Sequence, residues 1–293
     1  MKKILITLLL LSPFMSFAQD GLDMLNESSE DKGQELVFAT FKGSHIINFQ
    51  SVEVVGKRTL EFMIQHRFGE LNGGAYTLFG LDGGANIRFG LSYSLNGRLE
   101  FGLGRTNYEK LYDGYVKYRV LRQNVSNKMP VSLTFYGGTY YTAMRDMNAE
   151  VNGYDKYHYP SDRLSYAVQF ILARKFSENL SVQLSPSYVH YNLVEAITDK
   201  NDIYALGAAF RYKFTKRMAI TAEYGFRSNS YTDQKYYDTL GLGLEIETGG
   251  HVFQMFLTNS AGIAETQFIP HTSTTWKDGG VRLGFNVTRA FNL

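Results

Sequence analysis

Apolar and polar side chains alternate along most of this chain, a pattern typical of β-strands with two different faces. The terminal segment shows the pattern most clearly. One face carries Val281, Leu283, Phe285, Val287, Phe291 and Leu293, and the other carries Arg282, Gly284, Asn286, Thr288, Ala290 and Asn292. Arg289 alone interrupts the apolar face, near the strand end, where a long basic side chain reaches water. The sequence therefore predicts a two-faced strand at its end.

The same period recurs in eleven further segments, and no long helical period interrupts it. Their apolar faces begin at Leu60, Ile87, Leu99, Val116, Val131, Leu164, Leu180, Tyr204, Met218, Leu240 and Phe253. About twelve strands, an even number, suit an antiparallel barrel with both chain ends on one side. The fold class that we predict is all-β, an antiparallel transmembrane β-barrel spanning residues 58–293.

The links between the predicted strands alternate between short and long. Short links near Asn96, Ser177, Lys216 and Gly249 alternate with long ones over residues 70–83, 144–162, 194–202, 228–237 and 260–279. Outer-membrane barrels have short periplasmic turns and longer external loops. Two links, residues 107–110 and 123–130, fit this alternation less well.

Three short links also predict strand register, because both strands of a hairpin keep their apolar residues on one face. The predicted pairs are Ser94 with Arg98, Phe214 with Met218, and Glu247 with Gly250.

Barrel size indicates which face is outside. About eight strands enclose an interior that side chains fill, whereas twelve enclose a wider lumen, so a wet polar interior and an apolar exterior are favoured. The alternative is a soluble two-sheet β protein. The predicted lumen-lining residues are Glu61, Arg67, Arg88, Glu100, Lys117, Arg119, Arg163, Glu223, Arg227 and Glu245. We expect interfacial aromatic girdles from residues near strand ends, namely Tyr93, Tyr112, Tyr141, Tyr188, Tyr191, Tyr212 and Phe291.

Residues 1–18 have the features of a cleaved signal peptide. Lys2 and Lys3 precede an apolar run that is too short to cross a bilayer, and Ser16 and Ala18 supply the small residues of a cleavage site before Gln19. The alternative is an N-terminal membrane anchor. We therefore expect export to the outer membrane of a Gram-negative bacterium.

Residues 19–57 separate the signal peptide from the barrel. The stretch 20–35 is acidic and polar, so we expect a mobile periplasmic tail, with a docking peptide for a periplasmic partner as the alternative. Residues 36–57 are more apolar. They are expected in the lumen as a partial plug or packed beneath it, the alternative being an irregular edge segment.

Composition excludes several kinds of site. The chain has no cysteine, which rules out disulfides, thiolate metal sites and a lipid-anchored N-terminal cysteine. Without Lys2 and Lys3 the mature chain has 28 basic and 28 acidic residues, so bulk charge does not favour nucleic acid. We expect no cofactor and no metal. The expected partners are outer-membrane lipids and the barrel-assembly machinery.

Several runs resemble an uncharacterised bacterial outer-membrane β-barrel family known only as a domain of unknown function. They are Thr40-Phe41-Lys42-Gly43, Ser51-Val52-Glu53, Gln65-His66-Arg67-Phe68-Gly69, Gly80-Leu81-Asp82-Gly83-Gly84-Ala85-Asn86-Ile87-Arg88 and Tyr112-Asp113-Gly114-Tyr115-Val116-Lys117-Tyr118-Arg119. The resemblance covers most of the mature chain. It implies an outer-membrane barrel, and it implies no activity and no catalytic or binding residue.

Three functions remain open at this stage. The first is a passive channel or transport-related barrel for small polar solutes, with mixed charges along the lumen. The second is a closed structural or partner-binding barrel that acts through its loops or its N-terminal segment. An outer-membrane hydrolase is third, because the six histidines show no hydrolase or metal-ligand spacing. We predict that the protein is not an enzyme.

Overall fold

The computed structural model describes residues 35–146, 155–194, 199–228 and 236–293. The predicted signal peptide and nearly all of the acidic tail lie outside these ranges. No helix within them is long and apolar enough to cross a membrane.

Twelve antiparallel strands form a closed barrel in which each strand pairs with its sequence neighbours and β1 pairs with β12. Their bounds are β1 Thr59–Glu70, β2 Asn86–Ser94, β3 Leu99–Thr106, β4 Leu111–Leu121, β5 Ser132–Thr142, β6 Leu164–Lys175, β7 Leu180–Tyr191, β8 Asp202–Lys213, β9 Met218–Arg227, β10 Thr239–Thr248, β11 His251–Thr258 and β12 Arg282–Asn292. The predicted fold class and strand number are confirmed.

Within the described ranges, short helical turns lie in four connections. Three are 3-10 turns, Leu71–Thr77, Tyr108–Lys110 and Pro160–Arg163. The fourth, α1 (Glu265–Phe268), is one α-helical turn between β11 and β12, and all four of its residues are buried.

The apolar face of the barrel points outward. On β6, Phe170 and Leu172 are exposed, whereas their neighbours Gln169 and Ile171 are fully buried. The exposed apolar belt of a membrane barrel and its polar interior produce this reversal of the soluble pattern. Tyr191 departs from the prediction: instead of joining an interfacial girdle it turns inward, and its hydroxyl donates to the carbonyl of Thr266.

One of the three predicted registers is confirmed, since the N–H of Phe214 donates to the carbonyl of Met218 at 3.2 Å. The first predicted register is wrong, because Ser94 pairs with Glu100. The side chain of Asn96 accepts the N–H groups of two following residues at 2.9 Å, which widens that turn.

The third predicted register is also wrong. Thr248 pairs with His251, so Gly249 and Gly250 form the turn. Gly249 has φ 57°, a conformation that glycine adopts at low cost. Both errors are shifts of two residues, which leave every side chain on its predicted face.

Two non-strand segments fill the barrel. Residues 40–55, here called the inner segment, hydrogen-bond to side chains of β1, β3, β4, β5, β7, β9, β11 and β12. Residues 259–272, here called the inner loop, turn inward from the opposite end. The prediction of an external loop over 260–279 is therefore wrong for its first half. Phe268 and Ile269 are buried there in the same apolar cluster as Phe41 and Phe49, which removes all four side chains from water.

Candidate functional site: the filled lumen

The inner segment folds back on itself at its deepest point. The N–H of Ile46 donates to the carbonyl of Phe49, and the N–H of Ser51 donates to that of Ser44, each at 2.9 Å. Ile47, Asn48 and Phe49 form the tip and are buried. The segment thus enters the barrel as a narrow loop whose tip faces the wall.

A single carboxylate holds the backbone of the tip. The oxygens of Glu223 on β9 accept the N–H groups of Ile47, Asn48 and Phe49 at 3.1, 2.8 and 3.2 Å, and the side-chain amide of Asn48 at 2.8 Å. Hydrogen bonds to an ionised acceptor are about twice as strong as neutral ones. Glu223 therefore fixes both the position and the conformation of the tip.

The carbonyl side of the tip is bound by β1 and β12. Arg67 on β1 donates to the carbonyl of Ile47 at 3.3 Å and to the side-chain oxygen of Asn48 at 3.0 Å. Asn286 on β12 also donates to the carbonyl of Ile47, at 3.0 Å. The tip is therefore held against the part of the wall that runs from β9 to the β12–β1 seam.

Phe49 occupies a notch formed by glycines. A methyl group added at Gly207 or Gly225 would lie only 2.7–2.8 Å from its ring. On its other side the ring meets Phe268 of the inner loop edge to face, with centroids 4.9 Å apart. The notch admits the ring because neither strand carries a side chain there.

The outgoing limb of the inner segment is bound along its backbone. Gln183 accepts the N–H of Val52 at 2.9 Å, Thr134 donates to the carbonyl of Val52 at 2.7 Å, and Lys117 donates to that of Glu53 at 2.6 Å. Nearer the entrance, Glu100 on β3 accepts the N–H of residue 55 at 2.9 Å. These side chains hydrogen-bond to the backbone of the inner segment, as the backbone of a neighbouring strand does in a sheet.

A buried network joins the inner segment to the inner loop. The side-chain amide of Gln50 donates to Nε2 of His45 and to a carboxylate oxygen of Glu265, both at 2.8 Å, and Tyr140 donates to the other oxygen at 2.6 Å. As an acceptor at Nε2, His45 must be neutral. Burial, together with nearby cations of which Arg88 contributes most, holds the pKa of His45 well below its usual value.

Cavities remain at the two ends. The larger, about 910 Å³, opens among the short turns and is called the short-turn cavity. The smaller, about 360 Å³, lies among the long loops and is called the long-loop cavity. The tip, Phe268 and their neighbours occupy the space between them.

A family model described as a membrane-bound β-barrel domain, DUF5777, matches residues 41–291. The chain belongs to this family. The match includes nearly all of the inner segment and the twelve strands except the last residue of β12, so the family resemblance predicted from sequence is confirmed.

Solved structures share the barrel form with this DUF5777 protein at low identity. The NanC porin matches with a TM-score of 0.48 and 9% identity, covering 80% of this chain and 100% of the porin. The KdgM porin gives 0.47 and 11%, covering 80% and 99%. Outer membrane phospholipase A from Escherichia coli gives 0.44 and 13%, covering 85% and 95%. The comparison with curated proteins gives no match.

Six of the ten predicted lumen residues contact the inner segment. They are Glu61, Arg67, Glu100, Lys117, Arg119 and Glu223. Two others bind the wall: Arg88 forms a two-bond pair with Asp113 at 2.9 and 2.5 Å, and Glu245 pairs with Arg211 at 2.8 Å.

The last two predicted residues lie at the long-loop mouth. Arg163 precedes β6 and donates to the carbonyls of Thr142 and Met144. Arg227 ends β9 and donates to the carbonyl of Pro270 at 2.8 Å.

Sequence reasoning missed Asp113, Arg211 and Gln183. A signal existed for all three, because each lies on the polar face of a predicted strand. It missed Asn48 and Gln50 for a different reason: the inner segment has no period that assigns its side chains to a face. Within the described ranges, no group of three His, Asp or Glu side chains is placed to hold a metal ion.

Proposed function

We propose that this DUF5777 barrel is an outer-membrane passage for small polar solutes that the inner segment keeps closed, and that opens when this segment leaves the lumen. The observation that carries the proposal is the set of hydrogen bonds by which Glu223 on β9 and Arg67 on β1 hold the two sides of the tip inside the barrel. A barrel of twelve strands is wide enough for a lumen, and the inner segment lies within it.

The kind of contact supports reversible closure. The backbone of the inner segment is held by hydrogen bonds to wall side chains such as Glu100 and Gln183. Water can take over such bonds when the segment leaves, so the exposed groups keep partners. The strand ladders stay intact because the segment adds no strand to the barrel.

The charges left behind would set selectivity. With the segment gone, Arg67, Lys117, Glu100 and Glu223 would line the lumen, with Lys117 and Glu100 paired as neighbours on β4 and β3. Charged rings and patches of this kind select ions and dipolar solutes in other pores. The balance of two cations and two anions favours zwitterionic and uncharged polar solutes over charged ones.

Swelling of proteoliposomes in glycine tests this function. The mature protein, a variant lacking residues 36–57 and a control lacking residues 20–34 are refolded, and heat-modifiable migration checks that each barrel has formed. We expect rapid swelling only for the variant lacking 36–57. Equal swelling of all three proteins would show that the inner segment does not close the passage.

A closed barrel that binds a periplasmic partner is the second candidate. It is favoured by the apolar side chains at the mouth of the short-turn cavity, where Leu36 and Phe38 are 47% and 74% exposed. Well-folded deletion variants that do not swell would favour this function over a passage.

A hydrolase has less support. His190 on the outer face lies 2.7 Å from Asp202, as a base and its orienting group would. Within the described ranges, no hydrogen bond joins His190 to a serine or threonine. We therefore propose no catalytic role.

A further inference from the structure

The long-loop cavity is lined by flat rings. His271 lies between Tyr191 and Tyr236, with centroid distances of 5.3 and 4.9 Å. Across the cavity the guanidinium of Arg163 stacks on Tyr157 at 3.9 Å. Tyrosine combines an apolar ring face with a polar tip, so it suits ligands that have both kinds of surface.

A buried hydroxyl with no partner in the described part of the chain belongs to the wall of the same cavity. Thr266, at the start of α1, is only 2% exposed and lines the cavity, and its Oγ1 has no hydrogen-bond partner among the described residues. A buried hydroxyl without a partner is costly. A ligand that carries hydroxyl groups would satisfy it.

Among the described residues, the charges that line the cavity nearly cancel. They are Arg145, Lys156 and Arg163 against Glu109, Asp146, Asp162 and Asp199. Two of the cations are already stacked on Tyr157. The lining therefore gives an anionic ligand no advantage over a neutral one.

We propose that the long-loop cavity binds a neutral sugar. Sugars present hydroxyl groups at their edges and C–H groups on their ring faces, which matches a lining of tyrosines, a histidine and a free threonine hydroxyl. A volume of about 360 Å³ lies within the range of small-molecule sites. This inference deepens the proposed function, because it names the class of solute that the passage admits.

The site is also connected to the closure. Thr266 belongs to the helical turn whose Glu265 holds Gln50 and whose Phe268 packs on Phe49. A ligand on Thr266 therefore touches the element that supports the tip.

Titration by ligand-observed NMR tests the site on the refolded, closed, full mature chain. The probes are D-glucose and D-glucuronate, which differ by one carboxylate. The variants are Thr266→Val, which removes the hydroxyl at constant shape, and Tyr236→Ala. The control is Tyr76→Ala, because Tyr76 is 93% exposed on another long loop and lies outside the cavity lining.

We expect glucose to bind with a Kd of about 1 mM and glucuronate to bind no more tightly. Thr266→Val should weaken glucose binding about fivefold, and Tyr236→Ala by at least as much, with Tyr76→Ala unchanged. No glucose binding, tighter glucuronate binding, or equal affinity in all variants would overturn the proposal. Binding is read on the closed protein, so its outcome is independent of the swelling assay.

Discussion

Glu223 shows how far the sequence determines a single residue. Alternation along β9 places it on the polar face, which is where the structure has it. Alternation says nothing of its partners, because the backbone it binds belongs to a segment without a period. Its position was predictable and its role as an anchor was not.

The first residue-level prediction concerns that anchor. Glu223→Gln replaces a carboxylate with an amide whose NH₂ group faces backbone donors, so the tip should bind less tightly. We expect faster hydrogen exchange over residues 44–51, by about tenfold, measured by mass spectrometry. The matched control is Glu247→Gln, whose partner Lys42 lies at the partly exposed rim. Equal exchange in the two variants would contradict the role of Glu223.

The second residue-level prediction concerns Phe49, whose ring occupies the glycine notch. Phe49→Ala removes a buried aromatic side chain, a change that costs about 3–5 kcal/mol in protein cores. The loss falls on the tip, so the barrel should stay folded while glycine-driven swelling rises. Phe38→Ala on the same stretch of chain is the control, because Phe38 is 74% exposed. Unchanged swelling with Phe49→Ala would show that Phe49 in the glycine notch does not hold the inner segment in place.

The third residue-level prediction concerns the pH dependence of swelling and the role of His45 in it. The pKa of His45 is lowered in the folded protein, so the folded state disfavours the protonated ring. The stability that neutral His45 contributes is therefore complete above its unfolded pKa of about 6.5 and decreases as the pH falls below that value. We expect faster swelling at about pH 5 than at about pH 7.5. His45→Gln should remove this pH dependence, and an identical pH profile in the variant would contradict the assignment.

At the level of elements, the strands were predictable. For residues 36–57 the sequence left the lumen, the space beneath it and the barrel edge open, and it placed the inner loop outside. A period of two survives in every strand because one face meets lipid and the other meets the polar interior. The inner segment and inner loop are surrounded on all sides, so no face of either meets a constant environment. The turns were partly predictable. The side-chain hydrogen bonds of Asn96 and the conformation of Gly249 give two hairpins a register that differs by two residues from the predicted one.

A reversible crosslink between the tip and β10 tests the inner segment as an element. A methyl group added at Gly241 would lie 3.1 Å from Cγ2 of Ile47, so cysteines at the two positions are within disulfide reach. In a Phe49→Ala background, oxidation of Ile47→Cys/Gly241→Cys should stop swelling and a reductant should restore it. The chain has no other cysteine.

The control for this crosslink is Gly241→Cys alone in the same background. Its swelling should not respond to oxidation. Swelling that continues after thiol labelling shows a complete disulfide would mean that solutes bypass the tip.

At the scale of the whole molecule, the twelve strands form a wall around two non-strand segments that enter from opposite ends. The inner segment enters from the short-turn end and the inner loop from the long-loop end, and they meet at Phe49 and Phe268. Polar side chains on the inner face hold these segments, and apolar side chains cover the outside. The two cavities lie at the two ends of the barrel, on either side of these segments.

Single-channel conductance of the variant lacking residues 36–57, before and after addition of a synthetic peptide of that sequence, tests the closure most directly. We predict steady conductance that the peptide blocks from the short-turn side, and weaker block by the same peptide carrying Phe49→Ala. A folded variant that never conducts, or a conductance blocked equally by a scrambled peptide, would contradict closure by the inner segment.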